Sequence, residues 1–174
     1  MYKVLLIWTT VPVFLMSDLF HFSQGQIALF ALAGAAGVFA APIAGRLADR
    51  GVLRFATLLA LFLVALCFIL SYFAFAPFVL GGSLWGAGFL VIAAISLDFG
   101  VTTNLIIGQK IIYSLGAEMR GRLNGLYMVV FFIGGAIGSA SGGLVYSLAG
   151  WGGTCLLGFI IVCITGVYFL TEKG

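Results

Sequence analysis

Apolar residues in this chain come in blocks about a bilayer long, set apart by short polar or glycine-rich interruptions. A helix crosses the hydrocarbon core of a membrane with about 20 predominantly apolar residues, so each block reads as a crossing. Six are predicted, at about 2–20, 26–44, 53–75, 84–114, 123–148 and 154–170. The interruptions are Ser17 to Gly25, Gly45 to Arg54, Ala76 to Ser83 with its Pro77 and Gly81-Gly82, Gly116 to Arg122, and Gly150 to Gly153. Glycine and proline are the strongest local breakers of regular structure. The fourth block is longer than a bilayer core at a rise of about 1.5 Å per residue, so its end projects or the helix tilts. The expected fold is an all-α membrane protein, with residues 1–174 forming a single six-helix transmembrane bundle.

Composition narrows the class further. Of 174 residues, 63% are hydrophobic and only 7% charged, against about 25% charged in a soluble domain. Too few charges are present to cover a surface in water, so the solvent is a lipid bilayer. A soluble enzyme, a secreted disulfide scaffold, a disordered tail and a nucleic-acid binder are excluded. The net charge of +3 is scattered and makes no basic patch of the kind duplex binding needs. Cys67, Cys155 and Cys163 lie inside apolar runs without metal-ligand spacing and read as core packing. The first block has Lys3 ahead of it, as a signal peptide would, but Met16-Ser17-Asp18 offers no small-x-small cleavage site.

Charge asymmetry orients the bundle. Lys3, Arg46, Arg50, Arg54, Lys110, Arg120, Arg122 and Lys173 all fall at or just inside one side of a six-crossing map. The positive-inside rule makes that side the cytoplasm. The expectation is a multi-pass protein of the plasma (inner) membrane with both termini cytoplasmic.

One acid lies deep within a predicted span. Asp98 is expensive in hydrocarbon, so by default it marks a functional site facing the bundle interior or a wet cavity. Thr102 lies four residues on and Gln109 eleven, which returns both to nearly the same helical face. A carboxyl withdrawn from bulk water suits the uptake and release of protons. The alternative is a structural Asp hydrogen-bonded to a neighbouring helix. Thr103 and Asn104 point elsewhere on that helix; Asn104 is a further polar candidate for the pathway. Trp8, Thr9 and Thr10 either line a cavity or pack. His21, the only histidine, sits at the outer end of the first helix, reads as solvated and assembles no metal site.

Small residues recur on the fifth helix. Gly134, Gly138 and Gly142 fall at four-residue spacing, with Gly135, Ser139 and Gly143 beside them; Gly37, Ala41 and Gly45 make a weaker row on the second. Such faces let helices pack closely, and static packing is the plainer reading, although smooth faces also allow helices to slide or rock. Intramembrane proteolysis fails on its parts. Ser139 and Ser141 have only His21 as a base, at the wrong depth, and an aspartyl mechanism needs a second deep carboxyl. No catalytic residue, cofactor or metal is expected.

The loop Gly45-Arg46-Leu47-Ala48-Asp49-Arg50-Gly51-Val52-Leu53-Arg54 resembles the cytoplasmic loop signature G-x-x-x-D-[RK]-x-G-[RK]-[RK] of the major facilitator superfamily. It departs from it in that Gly51 comes one residue early and only Arg54 of the final basic pair is present. The runs Leu105-Ile106-Ile107-Gly108-Gln109, Arg120-Gly121-Arg122-Leu123-Asn124-Gly125-Leu126-Tyr127-Met128 and Phe132-Ile133-Gly134-Gly135-Ala136-Ile137-Gly138-Ser139 look like the tenth and eleventh helices of efflux permeases of that superfamily. The resemblance implies the C-terminal half of a twelve-helix transporter, with a small-molecule substrate bound between two bundles. It also implies proton-coupled efflux and an N-terminal six-helix half as partner. The alternatives are a six-helix protein that pairs with a second copy, and a non-transporting membrane scaffold. In the loop, Gly45 is expected to allow close approach at a helix end. Asp49 is expected to act as a gate latch, paired with Arg120, Arg122 or a helix end of the absent half.

Overall fold

The computed structural model describes residues 2–17, 21–74, 83–115 and 118–172. The expected break around Pro77 and Gly81-Gly82, the tail at Lys173 and the side chain of Lys3 lie outside the described residues. The rest is helix joined by short turns: α1 (Tyr2–Leu15), α2 (Gln24–Ala31), a 3-10 turn (Leu32–Ala36), α3 (Gly37–Asp49), α4 (Leu53–Phe73), α5 (Ser83–Ser114) and α6 (Arg120–Thr171). This is what hydrocarbon demands, since a helix satisfies its own backbone donors and acceptors.

The boundaries follow local chemistry. Ser23 opens α2 with a capping box: its hydroxyl accepts from the Gln26 amide at 3.4 Å, and the Gln26 side chain accepts from the Ser23 amide at 2.8 Å. Gly51, at φ 73°, takes the left-handed conformation that lets α3 stop and α4 begin within a few residues.

The observed helices correct the expected spans. The first ends at Leu15, short of residue 20. The second runs over Gln24–Asp49 rather than 26–44, and is interrupted by the 3-10 turn. Expected helices 123–148 and 154–170 follow one another as the two arms of α6, 52 residues in all, which meet at a kink at Gly150 where the sequence expects a break. Among the described residues four helical stretches are long and apolar enough to cross a membrane: Gln24–Asp49, Leu53–Phe73, Trp85–Ser114 and Arg120–Thr171; Leu6–Leu15 is shorter. At about 1.5 Å per residue α6 would span about 78 Å if straight, more than twice a hydrocarbon core. It is not straight, because Gly150 leaves helical geometry at φ 65°, ψ −163°.

Contacts show how the segments run. Arg54 lies over the Phe169 ring at 5.9 Å, Phe68 packs on Gly158, and Tyr72 on Gly152. One set of numbers falls as the other rises, so 151–171 lies antiparallel to α4. Gly37 meets Asp98 and Thr102, and Asp49 meets Lys110. Both sets rise together, so α3 and α5 run parallel. At the end of α4 away from Asp49, Trp151 stacks on Phe14 with centroids 4.3 Å apart and donates its indole N–H to the Ser71 carbonyl at 2.7 Å. That one side chain joins α1, α4 and α6.

The core is built on small residues. The buried row of α3 is Gly37, Ala40, Ala44 and Ala48, not the expected Gly37, Ala41 and Gly45. On α6 the buried row is Gly135, Gly138 and Gly142, while Gly134 is only half-buried. Cys67 and Cys155 are buried as expected, but Cys163 is exposed. Large apolar side chains such as Leu29, Phe39, Phe62, Phe132 and Leu148 cover the outside, the inverse of a soluble surface.

Glycine substitutions should separate by the space available. A Cβ at Gly158 would overlap the Phe68 ring, and one at Gly142 would meet the Leu6 backbone at 3.2 Å, whereas Gly143 faces open space. Overpacking costs about 1–3 kcal/mol. Gly158→Ala should lose that much in unfolding titrations in mixed micelles, Gly142→Ala less, and Gly143→Ala nothing measurable.

Candidate functional site

Midway along α5, Asp98 is half-buried where α1, the 3-10 turn, α3 and α5 converge. The Trp8 indole N–H of α1 donates to Asp98 Oδ1 at 3.4 Å, a long hydrogen bond. The other carboxyl oxygen, Oδ2, is buried and has no hydrogen-bond partner among the described residues. It lies beside Gly34, where a Cβ would come within 3.0 Å of it. Trp8 in turn leans on Phe30 of α2, centroids 6.0 Å apart. Thr102 sits one turn along α5 against Gly37.

A carboxyl oxygen shut away from water without a donor is costly, and native structures leave few such groups without a reason. The arrangement holds one oxygen with an indole N–H and leaves the other open to a proton. Trp8 and the glycines around Asp98 were not legible as its neighbours from spacing alone. The one available signal was Gly34 three residues before Gly37, on the helix preceding the arginine-rich loop.

Of the expected polar stripe, Asp98 and Thr102 meet Gly37 of α3, and Gln109 is half-buried further along α5, next to Lys110. Asn104 is exposed and faces another way, into a cavity of about 430 Å³ between α4, α5 and the two ends of α6. Thr57, Gly108, Tyr127 and Glu172 line it as well. The other sequence candidates are engaged in packing. Thr9 and Ser139 hydroxyls bond each other at 2.9 Å, and the hydroxyls of Thr10 and Ser141 bond carbonyls of their own helices. Among the described residues no three His, Cys, Asp or Glu gather as a metal site.

The loop also differs from expectation. Asp49 pairs with Lys110, not with Arg120 or Arg122, because parallel α3 and α5 bring their ends together. Arg50, Arg54, Arg120 and Arg122 are exposed, and Arg54 covers Phe169. Among the described residues nothing lies within 4 Å of where a Cβ of Gly45 would be, so the expected close approach is not made to any of them.

The sequence matches the family model of the Major Facilitator Superfamily over residues 2–173. It is 34% identical over 159 residues to the uncharacterized transporter YgaY of Escherichia coli O157:H7 and of strain K12. It is 30% identical over 151 residues to a protein of Streptomyces coelicolor named transporter SCO4007. These alignments cover 91% and 86% of this chain, but it spans only 38% of YgaY and 33% of SCO4007. No solved structure matches it.

The Asp49–Lys110 pair is exposed on both sides, and exposed pairs contribute about 0–1 kcal/mol. Asp49→Asn and Lys110→Gln should each shift unfolding by less than about 1 kcal/mol. The exchanged pair Asp49→Lys with Lys110→Asp should behave as the wild type. A larger loss in either single variant would mean that Asp49 has a further partner.

Proposed function

This chain belongs to the Major Facilitator Superfamily, and we propose on that basis that it forms one six-helix half of a secondary active transporter exporting small molecules against a proton gradient. The observation that carries the reading is Asp98, an acid within a membrane span whose Oδ2 is buried and unpartnered. The Trp8 N–H holds Oδ1 in place, and Oδ2 takes and releases the proton. Its surroundings at α1 and α5 are then where substrate and proton compete.

Six crossings are favoured by the break at Gly150 and by the antiparallel run of 151–171 on α4. Either half of α6 then crosses once, and the short α1 supplies the first. Orientation rests on the basic residues. Arg54 lies near Phe169 and Lys110 near Asp49, so the charges of three loops and helix ends gather at one end of the bundle, and the positive-inside rule assigns that end to the cytoplasm of the plasma membrane. The Asp49–Lys110 pair then sits at the cytoplasmic mouth, as a contact that gating can break and reform.

Relatives more than twice as long supply room for a second bundle. Substrate in such transporters lies between two bundles that rock about it, so this chain offers one wall of the site. The length of those relatives outside the match favours an N-terminal bundle over a second copy as the opposite wall.

Two experiments test this. Reporters fused after Ser23 and after Gly152 should read as outside, and those after Gly51 and Gly121 as inside; an inside reading at Gly152 would remove the crossing by 151–171. In proteoliposomes the purified chain should give no proton-driven flux until a matching N-terminal bundle is added, and Asp98→Asn should abolish the flux then gained. Flux from the chain alone as a homodimer would put the second copy in place of the N-terminal bundle.

A further inference from the structure

Between α2 and α3 the backbone tightens to 3-10 geometry over Leu32–Ala36, although nothing in Leu-Ala-Gly-Ala-Ala forbids an α-helix. Runs of 3-10 inside a longer helix are unusual, and mark a hinge or a constraint. The constraint is legible in angles. A 3-10 helix has 3.0 residues per turn, so residues three apart eclipse. Gly34 therefore falls in line with Gly37 on the face turned to α5. In an α-helix, at about 100° per residue, Gly34 would stand about 60° off that line. Ala33, about 40° off on the other side, would be nearer to it.

There is no room for a methyl group on that line. A Cβ at Gly34 would lie 2.8 Å from Trp8 Cζ2 and 3.0 Å from Asp98 Oδ2. At Gly37 it would lie 3.1 Å from Thr102 Oγ1 and 3.3 Å from the Asp98 Cβ, tight but closer to tolerable. Oδ2, toward which Gly34 points, is the buried oxygen that lacks a hydrogen-bond partner. The turn thus exchanges Ala33 for a bare glycine at the point where α5 and α1 meet.

We propose that Gly34 is a positioning residue for Asp98: the 3-10 turn brings its backbone, in place of Ala33, against the carboxyl and holds Asp98 and Trp8 in register. The importance of this for transport rests on the proposed role of Asp98, but the contact itself is testable without any transport.

The chain carries three tryptophans, Trp8, Trp85 and Trp151. Labelled with 5-fluorotryptophan and reconstituted in lipid nanodiscs, it should give a 19F resonance for each, with that of Trp8 identified by its loss in Trp8→Phe. Asp98→Asn should move the Trp8 line. Gly34→Ala should move it too, Gly37→Ala less, and Gly45→Ala, which faces open space, not at all. The Trp85 and Trp151 lines should stay in place and report that the fold survives. Exchanging the two residues, Ala33→Gly with Gly34→Ala, lets an ordinary α-turn present glycine to Asp98, and should return the Trp8 line toward its wild-type position. Should Gly34→Ala fail to fold, the smaller displacement in Gly37→Ala carries the same comparison. A Trp8 line unmoved by either glycine variant, or an exchanged variant no closer to wild type than Gly34→Ala, overturns the proposal. Proton-driven flux, measured separately, decides whether Asp98 matters to transport, so the two ideas fail independently.

Discussion

Lipid tails are as apolar as leucine, so helices in a bilayer gain little from hiding apolar side chains against one another. What holds this bundle is how closely its backbones approach, and glycine and alanine set that distance. Phe68 lies in the space that Gly158 leaves, and the Leu6 backbone rests on Gly142. Gly100 sits so near the Ala60 carbonyl of α4 that a Cβ would be 2.6 Å from it. These contacts fix the positions of α1, α4, α5 and α6, and everything polar is placed by them. Trp151 closes the far end by joining stacking on Phe14 to a hydrogen bond on Ser71.

Much of this was readable from the chain. Apolar blocks of bilayer length need no tertiary information, and Leu53–Phe73 and Ser83–Ser114 fall within about two residues of their expected bounds. The break expected at Gly150 to Gly153 is also present, though as a single non-helical residue inside hydrogen-bonded helix rather than as a loop. Hydropathy could not show it in that form, because it averages over many residues while one φ angle turns the chain. The 3-10 turn is not legible for a related reason: Asp98 and Trp8, against which Gly34 sits, lie far away in sequence.

Among site residues the same division holds. Asp98 stands out from composition alone, since an acid in a span is rare and expensive. Its neighbours do not, because Trp8 and Gly34 are ordinary residues of membrane helices until the packing brings them to the carboxyl. Asp49 is recognisable by its loop, but its partner within the chain is not. The arginines look like partners in one dimension. The parallel run of α3 and α5 selects Lys110 instead.

The two acids also differ in what their settings allow. Asp49 and Lys110 are exposed where water screens them, so breaking the pair costs little. Asp98 is enclosed by Trp8, Gly34, Gly37 and Thr102, where any change of charge is felt by tightly packed backbone with no space to absorb it. Close-packed interiors transmit small displacements rather than dissipating them. Were Asp98 to take a proton, as proposed, the change would act on the turn at Leu32–Ala36, which Gly34 holds against it. From there it would reach α3, whose far end carries Asp49. Asp98 thus touches, through Gly34 and Gly37, the start of the helix whose far end carries Asp49, and those two glycines set how tight that contact is.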